Sequence, residues 1–104
     1  MIRWEYALLV RRRVASIDEP GWEITFAWYG PDGTALDVTN QADTALAHLN
    51  TAGRQGWELA SVTEEYQPNG ATDIYRYHLK RPVPAPPVVP PPRGAQRRSS
   101  VRRG

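Results

Sequence analysis

The chain has no cysteine in its 104 residues, which excludes a disulfide framework and any thiolate-ligated metal centre. Histidine occurs only at positions 48 and 78, and lysine only at position 80. No Ser–His–Asp or Cys–His grouping, no HExxH helix motif and no glycine-rich phosphate loop can be assembled around those two histidines. Nucleophilic, zinc-hydrolase and nucleotide-loop chemistries therefore lack their residues, and no cofactor is expected. No apolar run approaches the roughly 20 residues that cross a bilayer. No basic segment leads into an apolar stretch at the start, so the expected location is cytoplasmic, or virion-associated if the chain is phage-encoded. Acids are missing after Asp73. Residues 1–81 carry eight basic side chains against eleven acids, a net of −3, while residues 82–104 carry five arginines and no acid, a net of +5. An acidic domain with a basic tail follows, and the two parts need separate explanations.

What is abundant is proline, tryptophan and tyrosine. Seven prolines fall between Pro82 and Pro92, a density that forbids helix or sheet interior and favours an extended polyproline spacer. The expected organisation is a compact domain over 1–81, a proline-rich linker over 82–92 and a disordered basic tail over 93–104. A domain of about eighty residues buries only roughly 60–65% of its unfolded surface. The four tryptophans and five tyrosines suggest dense aromatic packing or self-association as compensation.

The organising stretch is Leu46 to Val62. Leu46, Leu49 and Ala52, with Ala42 and Ala45 before them, recur at spacings of three and four and share one helical face. Thr39 or Asn40 is the expected N-cap, with Asp43 in the first turn. Gly56 is placed to close the helix in a left-handed conformation, and Gly53 marks either close approach to a sheet or an early helix end. His48 falls off the apolar line and reads as a rim residue. A helix with so thin a stripe must lie on a sheet. Alternation supplies the strands. Ile2, Trp4, Tyr6, Leu8, Val10 and Val14 sit at even positions. Trp22, Ile24, Phe26 and Trp28 alternate with polar or small residues, followed by the turn Gly30-Pro31-Asp32-Gly33 and a short return over Thr34–Val38. A strand from Trp57 and a last one over Asp73–Arg81 complete the set. The fold expected is α+β: an antiparallel sheet of four or five strands with one helix on one face. Trp4, Tyr6, Leu8, Ile24, Phe26, Leu46, Leu49, Trp57 and Leu59 are its expected core.

Candidate chemistry is sparse. Arg11-Arg12-Arg13 would hold phosphates if the three shared a face, but on a strand they split between two. Asp32 and Asp37 would serve acid–base or metal chemistry only with a third partner, and each reads better as turn or helix-entry chemistry. The recurrence of Trp-Glu at 4, 22 and 57 reads as strand openings rather than a repeat. A small enzyme using His78 with Tyr75 or Tyr77 and Asp73 is the rival class.

Three stretches carry a resemblance: Trp4-Glu5-Tyr6-Ala7, then Leu49-Asn50-x-x-Gly53-x-x-Gly56-Trp57-Glu58-Leu59-x-Ser61-Val62, then Leu79-Lys80-Arg81-Pro82. In this order they resemble the small bacterial and phage family known as domain of unknown function 4177. The resemblance implies a compact α+β domain with no assigned activity. The Ser16–Val38 segment and the tail depart from the pattern.

The tail offers Arg93, Arg97, Arg98, Arg102 and Arg103 as a possible nucleic-acid or partner-binding arm, holding phosphates or an acidic protein surface at the end of the proline spacer. It contains no aromatic, so sequence-independent contact is implied. A proline-rich ligand for an aromatic groove and a basophilic kinase site at Ser99 and Ser100 are further readings. The function expected is a non-catalytic binding or assembly module. It would have a protein partner or self-association, with no membrane and no evident small-molecule substrate; a phage structural or accessory role is the alternative.

Overall fold

The computed structural model describes residues 1–68 and 70–84. Its elements are β1 (Trp4–Ala15), β2 (Trp22–Tyr29), β3 (Ala35–Asp37), a 3-10 turn over Thr39–Gln41, α1 (Ala45–Arg54), β4 (Glu58–Tyr66) and β5 (Thr72–Pro82). All strand pairs are antiparallel, in the spatial order β3-β2-β1-β5-β4. The expected α+β class is what the chain adopts. The first and last strands pair at the centre of the sheet, from Trp4 opposite Pro82 to Val14 opposite Thr72. The last strand therefore runs one residue past the expected Arg81. Pro82 is tolerated there because it closes the strand, where its missing N–H costs little.

The face that is buried differs from expectation. The core is Ala7, Leu9, Phe26, Val38, Ala52, Trp57 and Leu79, with Trp28, Ala45, Leu49 and Tyr77 against it. In β1 these are the odd positions, so Trp4, Tyr6 and Leu8 lie on the other face. Trp4 is 42% and Tyr6 63% exposed, and Leu8 is half-buried. Ile24, Leu46 and Leu59 are exposed as well; only Phe26, Leu49 and Trp57 of the expected nine pack in the core. The physical reason is the period of two: both faces of β1 carry apolar residues, and register alone decides which faces the helix. Register sets Ala7 opposite Leu79 and Leu9 opposite Trp28 and Tyr77, which gathers the buried set on one side. The small Ala7 and Ala52 also belong to this packed set, among larger side chains.

The helix starts later than expected. Thr44 is its N-cap, with extended dihedrals and a hydroxyl accepting from the Ala47 N–H at 3.1 Å. Thr39 is unavailable because its hydroxyl bridges the Phe26 backbone, accepting from the N–H at 3.0 Å and donating to the carbonyl at 3.3 Å. Asp43 accordingly precedes the helix, whose first turn holds no acid. At the other end Gly56, at φ +91°, lets the Gly56 and Trp57 amides reach back to the Gly53 and Ala52 carbonyls, the paired bonds of a Schellman stop. Gly53 is exposed, with no atom near the place of a Cβ, so close approach to the sheet is not its role. His48 is buried rather than at the rim. Its ring lies 4.3 Å from that of Phe26, and Nε2 is 3.2 Å from the Ala42 carbonyl oxygen.

Candidate functional site

The alternation of β1 and β5 brings three groups of residues together. At the end of the sheet where the described chain finishes, Arg81 stands opposite Glu5. Its Nε donates to Glu5 Oε1 at 2.8 Å and its Nη1 to the Gln55 carbonyl at 2.7 Å, with the guanidinium 4.2 Å over the Trp57 ring. One cation thus ties both central strands to the C-terminal end of α1, where exposed carbonyls favour positive charge. Glu5, Trp57 and Arg81 come from the three stretches that carry the family resemblance, and their meeting is a structural clamp.

At the opposite end, on the same face, Asp73 is 4% exposed. Arg13 Nη2 donates to its Oδ2 at 2.6 Å, and Arg11 Nη1 lies 3.7 Å from its Oδ1. Arg13 Nε and Asp73 Oδ1 are buried without a hydrogen bond. Arg13 also lies 4.3 Å over Trp22, and Arg11 5.5 Å over Tyr75. The basic triplet therefore splits as expected: Arg12 falls on the other face, and Arg11 and Arg13 serve one carboxylate. This pairing leaves little free positive charge for a phosphate.

Beside this cluster runs an aromatic ladder. The Tyr66 and Tyr75 hydroxyls are 2.9 Å apart, Tyr66 donates to Glu64 at 3.0 Å, and the Tyr75 and Tyr77 rings are offset by 6.4 Å at 26°. The bond to Tyr75 and then that to Glu64 push the Tyr66 hydroxyl above a phenol's ordinary range. Burial does the same to Tyr77. Both shifts run away from neutrality, opposite to the direction that suits a general base. All nine residues of β4 are exposed, and its helix-side members Leu59, Val62 and Tyr66 extend the ladder to the sheet edge.

His78 does not join this group. It belongs to the other face, opposite Leu8 and Ser61, with Nε2 3.3 Å from Thr63 Oγ1. Asp73, Tyr75 and Tyr77 are thus brought together, and His78 is separated from them by the thickness of the sheet. Asp32 and Asp37 are likewise apart in role. Each binds the threonine two residues on, Asp32 accepting from Thr34 and Asp37 from Thr39, and each carboxyl is held below its usual range by those bonds. No group of three or more potential metal ligands occurs among the described residues. Trp4, Trp22 and Trp57 are not equivalent, since only Trp57 is buried and Trp4 lies on the other face.

A cleft of about 200 Å³ opens between α1 and β2–β3. Leu9, Trp28 and Val38 line its floor, and Gln41, Thr51 and Gln55 its mouth, with His48 in its wall and no carboxylate, lysine or arginine. The tail residues Arg93, Arg97, Arg98, Arg102 and Arg103 lie outside the described residues, as does the whole segment from residue 85. No helix among the described residues is long and apolar enough to cross a membrane. Sequence reasoning missed the buried Asp73–Arg13 pair and the burial of His48. The usable signal for the first was the shared period of Arg11 and Arg13 with Asp73 and Tyr75, once β1 and β5 are set antiparallel. Comparison with protein-family models and with curated proteins gives no match for this chain.

Proposed function

We propose that this chain is a non-catalytic binding and assembly module that pairs with a second copy of itself through the sheet face opposite α1. One observation carries the reading. The single helix of the described residues lies on one side, and the other side presents Trp4, Tyr6, Leu8, Val10, Val14, Tyr29 and Ile74, interleaved with Arg12, Arg76, His78 and Lys80, whose Nζ lies 4.5 Å over the Trp4 ring. At its longest this face measures roughly 19 by 36 Å from strand spacing and rise, on the order of the ~800 Å² each partner gives to a standard interface. Exposed Trp4 and Tyr6 on a face of that size mark it as an interaction surface in this reading. A two-fold arrangement with strands antiparallel would also bring the Glu23 end of one copy over the Lys80 end of the other.

The rival enzyme, with a polar site around His78, Tyr75 and Tyr77, is disfavoured by the placement of His78 on the far side of the sheet. The resemblance to domain of unknown function 4177 supplies no activity and is compatible with a module. The basic arm from Arg93 adds electrostatic reach towards nucleic acid or an acidic protein. Sedimentation equilibrium up to high micromolar concentration tests the pairing. A dimer mass is expected, and Tyr6→Glu, at an exposed position, weakens association at least tenfold while Leu46→Glu on the helix surface leaves it unchanged. A strictly monomeric mass would end this reading.

A further inference from the structure

The cleft between α1 and β2–β3 is assembled by five separate elements. Leu9 comes from β1, Trp28 from β2, Leu36 from β3, Gln41 from the 3-10 turn, and His48 and Thr51 from α1. No local motif announces it, because its lining is gathered from across the chain. The floor is almost sealed, with Leu9 1% and Val38 6% exposed. Trp28 is half-buried, and its ring is fixed by an edge-on contact with Trp57 at 5.7 Å and 72°. Such a floor is preformed and loses little side-chain freedom when a ligand covers it. One polar atom here is uncommitted. His48 is buried, and its Nε2 faces the Ala42 carbonyl oxygen at 3.2 Å. A carbonyl only accepts, so in the neutral ring Nε2 carries the proton and Nδ1 is left as an acceptor. Nδ1 has no hydrogen-bond partner among the described residues and is not sealed from solvent. The cleft that His48 lines is the opening beside it.

We propose that this cleft binds a small neutral aromatic molecule, one substituted ring or a fused bicycle, that donates an N–H or O–H to His48 Nδ1. Size, charge and hydrogen bonding each narrow the ligand. An apolar cavity of about 150 Å³ holds benzene, so the cleft's volume of about 200 Å³ takes a substituted ring or a small fused pair. The lining has no carboxylate, lysine or arginine to offset a ligand charge. A charge brought unpaired onto the floor would be strongly disfavoured. The acceptor selects a donor, because a ligand without one leaves Nδ1 dehydrated and unpaired. At the mouth, the side-chain amides of Gln41 and Gln55 are unpaired among the described residues and can bond a polar substituent. The Thr51 hydroxyl is already engaged by the Ala47 carbonyl and the Arg54 guanidinium, so it contributes shape rather than recognition. The site uses the helix side of the sheet and does not rest on the pairing of two copies through the other face.

Indole is the probe, added to the full chain while methyl and tryptophan-ring signals are followed by nuclear magnetic resonance. The Val38 and Ala52 methyl signals and the Trp28 ring signals shift and saturate together. The Trp4 ring and Leu8 methyls on the other face stay in place. Benzofuran has the same outline with oxygen in place of the N–H, and it binds about fivefold more weakly for want of one hydrogen bond. Thr51→Phe, at an exposed helix position, fills the mouth and weakens indole binding roughly tenfold. His48→Phe keeps a ring beside Phe26 and removes the acceptor, so the indole-to-benzofuran preference falls to about one. The preference measured on the unaltered chain stands even where that variant does not fold. No saturable shift with indole, equal shifts on both faces, equal affinity for the two ligands, or unchanged affinity in Thr51→Phe would each overturn the site. The particle mass is measured on the same samples, so that failure of pairing is read separately.

Discussion

Glu5 and Arg81 lie 76 residues apart in the chain and meet at 2.8 Å, partly buried, where the first and last strands pair. The same guanidinium donates to the Gln55 carbonyl at the C-terminal end of α1 and covers Trp57. Arg81→Lys is therefore not a conservative change, because an ammonium cannot hold two planar contacts and a ring at once. Loss of one charge-assisted hydrogen bond and the ring contact should cost about 2 kcal/mol. The measure is the urea midpoint at unchanged slope, with Arg81→Ala costing at least as much as Arg81→Lys.

Asp73 is the second position where charge is committed to the fold. Asp73→Ala leaves Arg11 and Arg13 facing each other without a counter-charge. Removal of one partner from a fully buried pair costs about 3–5 kcal/mol. Arg13 keeps about a third of its side chain exposed, so about 2–3 kcal/mol is expected once solvent screening is allowed for. A double-mutant cycle with Arg13→Ala should show strong non-additivity, since the second change removes the charge that the first leaves stranded. Additive losses would mean that the pair is not coupled.

These two ion pairs show what was legible in the sequence and what was not. Period-two runs located β1, β2, β4 and β5, Gly56 located the helix stop, and Gly30-Pro31-Asp32-Gly33 located the hairpin turn and with it the short return strand β3, because each is a local property of the backbone. The buried face of β1 was not legible. Ala7 and Leu9 look like exceptions to an even-numbered apolar run, and only pairing with Leu79, Trp28 and Tyr77 makes them the core. The N-cap was misplaced for a similar reason, since Thr39 is an equally good capping residue until its hydroxyl is engaged by Phe26 across the sheet. His78 and Tyr77 are adjacent in sequence and opposite in space. Candidate site chemistry drawn from neighbouring strand residues is therefore split by the pleat unless their spacing is even.

Tyr66 gives a pH dependence with a definite sign. Its hydroxyl is raised above the ordinary phenol range by its bonds to Tyr75 and Glu64. A group that releases its proton more readily in the unfolded chain contributes stability that is full below the unfolded value of about 10 and is lost as pH rises above it. Titration of the phenolate absorbance should show Tyr66 and Tyr77 ionising above the ordinary phenol range, and Tyr66→Phe should remove one of these late steps. The alkaline fall in stability should be shallower in Tyr66→Phe. Ionisation of Tyr66 within the ordinary phenol range would show that the hydroxyl pair does not persist in solution.

The arm makes the last prediction. Five arginines neutralise at most five phosphates. The slope of log affinity against log salt for duplex DNA should then be no steeper than about −4.5, and no steeper than about −3.5 for single strands. Replacing Arg93, Arg97, Arg98, Arg102 and Arg103 together by glutamine should abolish binding at low salt, because residues 1–81 carry a net charge of −3 and repel a polyanion. Scrambling the order of residues 93–104 should leave affinity nearly unchanged, since reach and charge act without side-chain register. Equal binding by the glutamine variant would assign the contact to the folded domain.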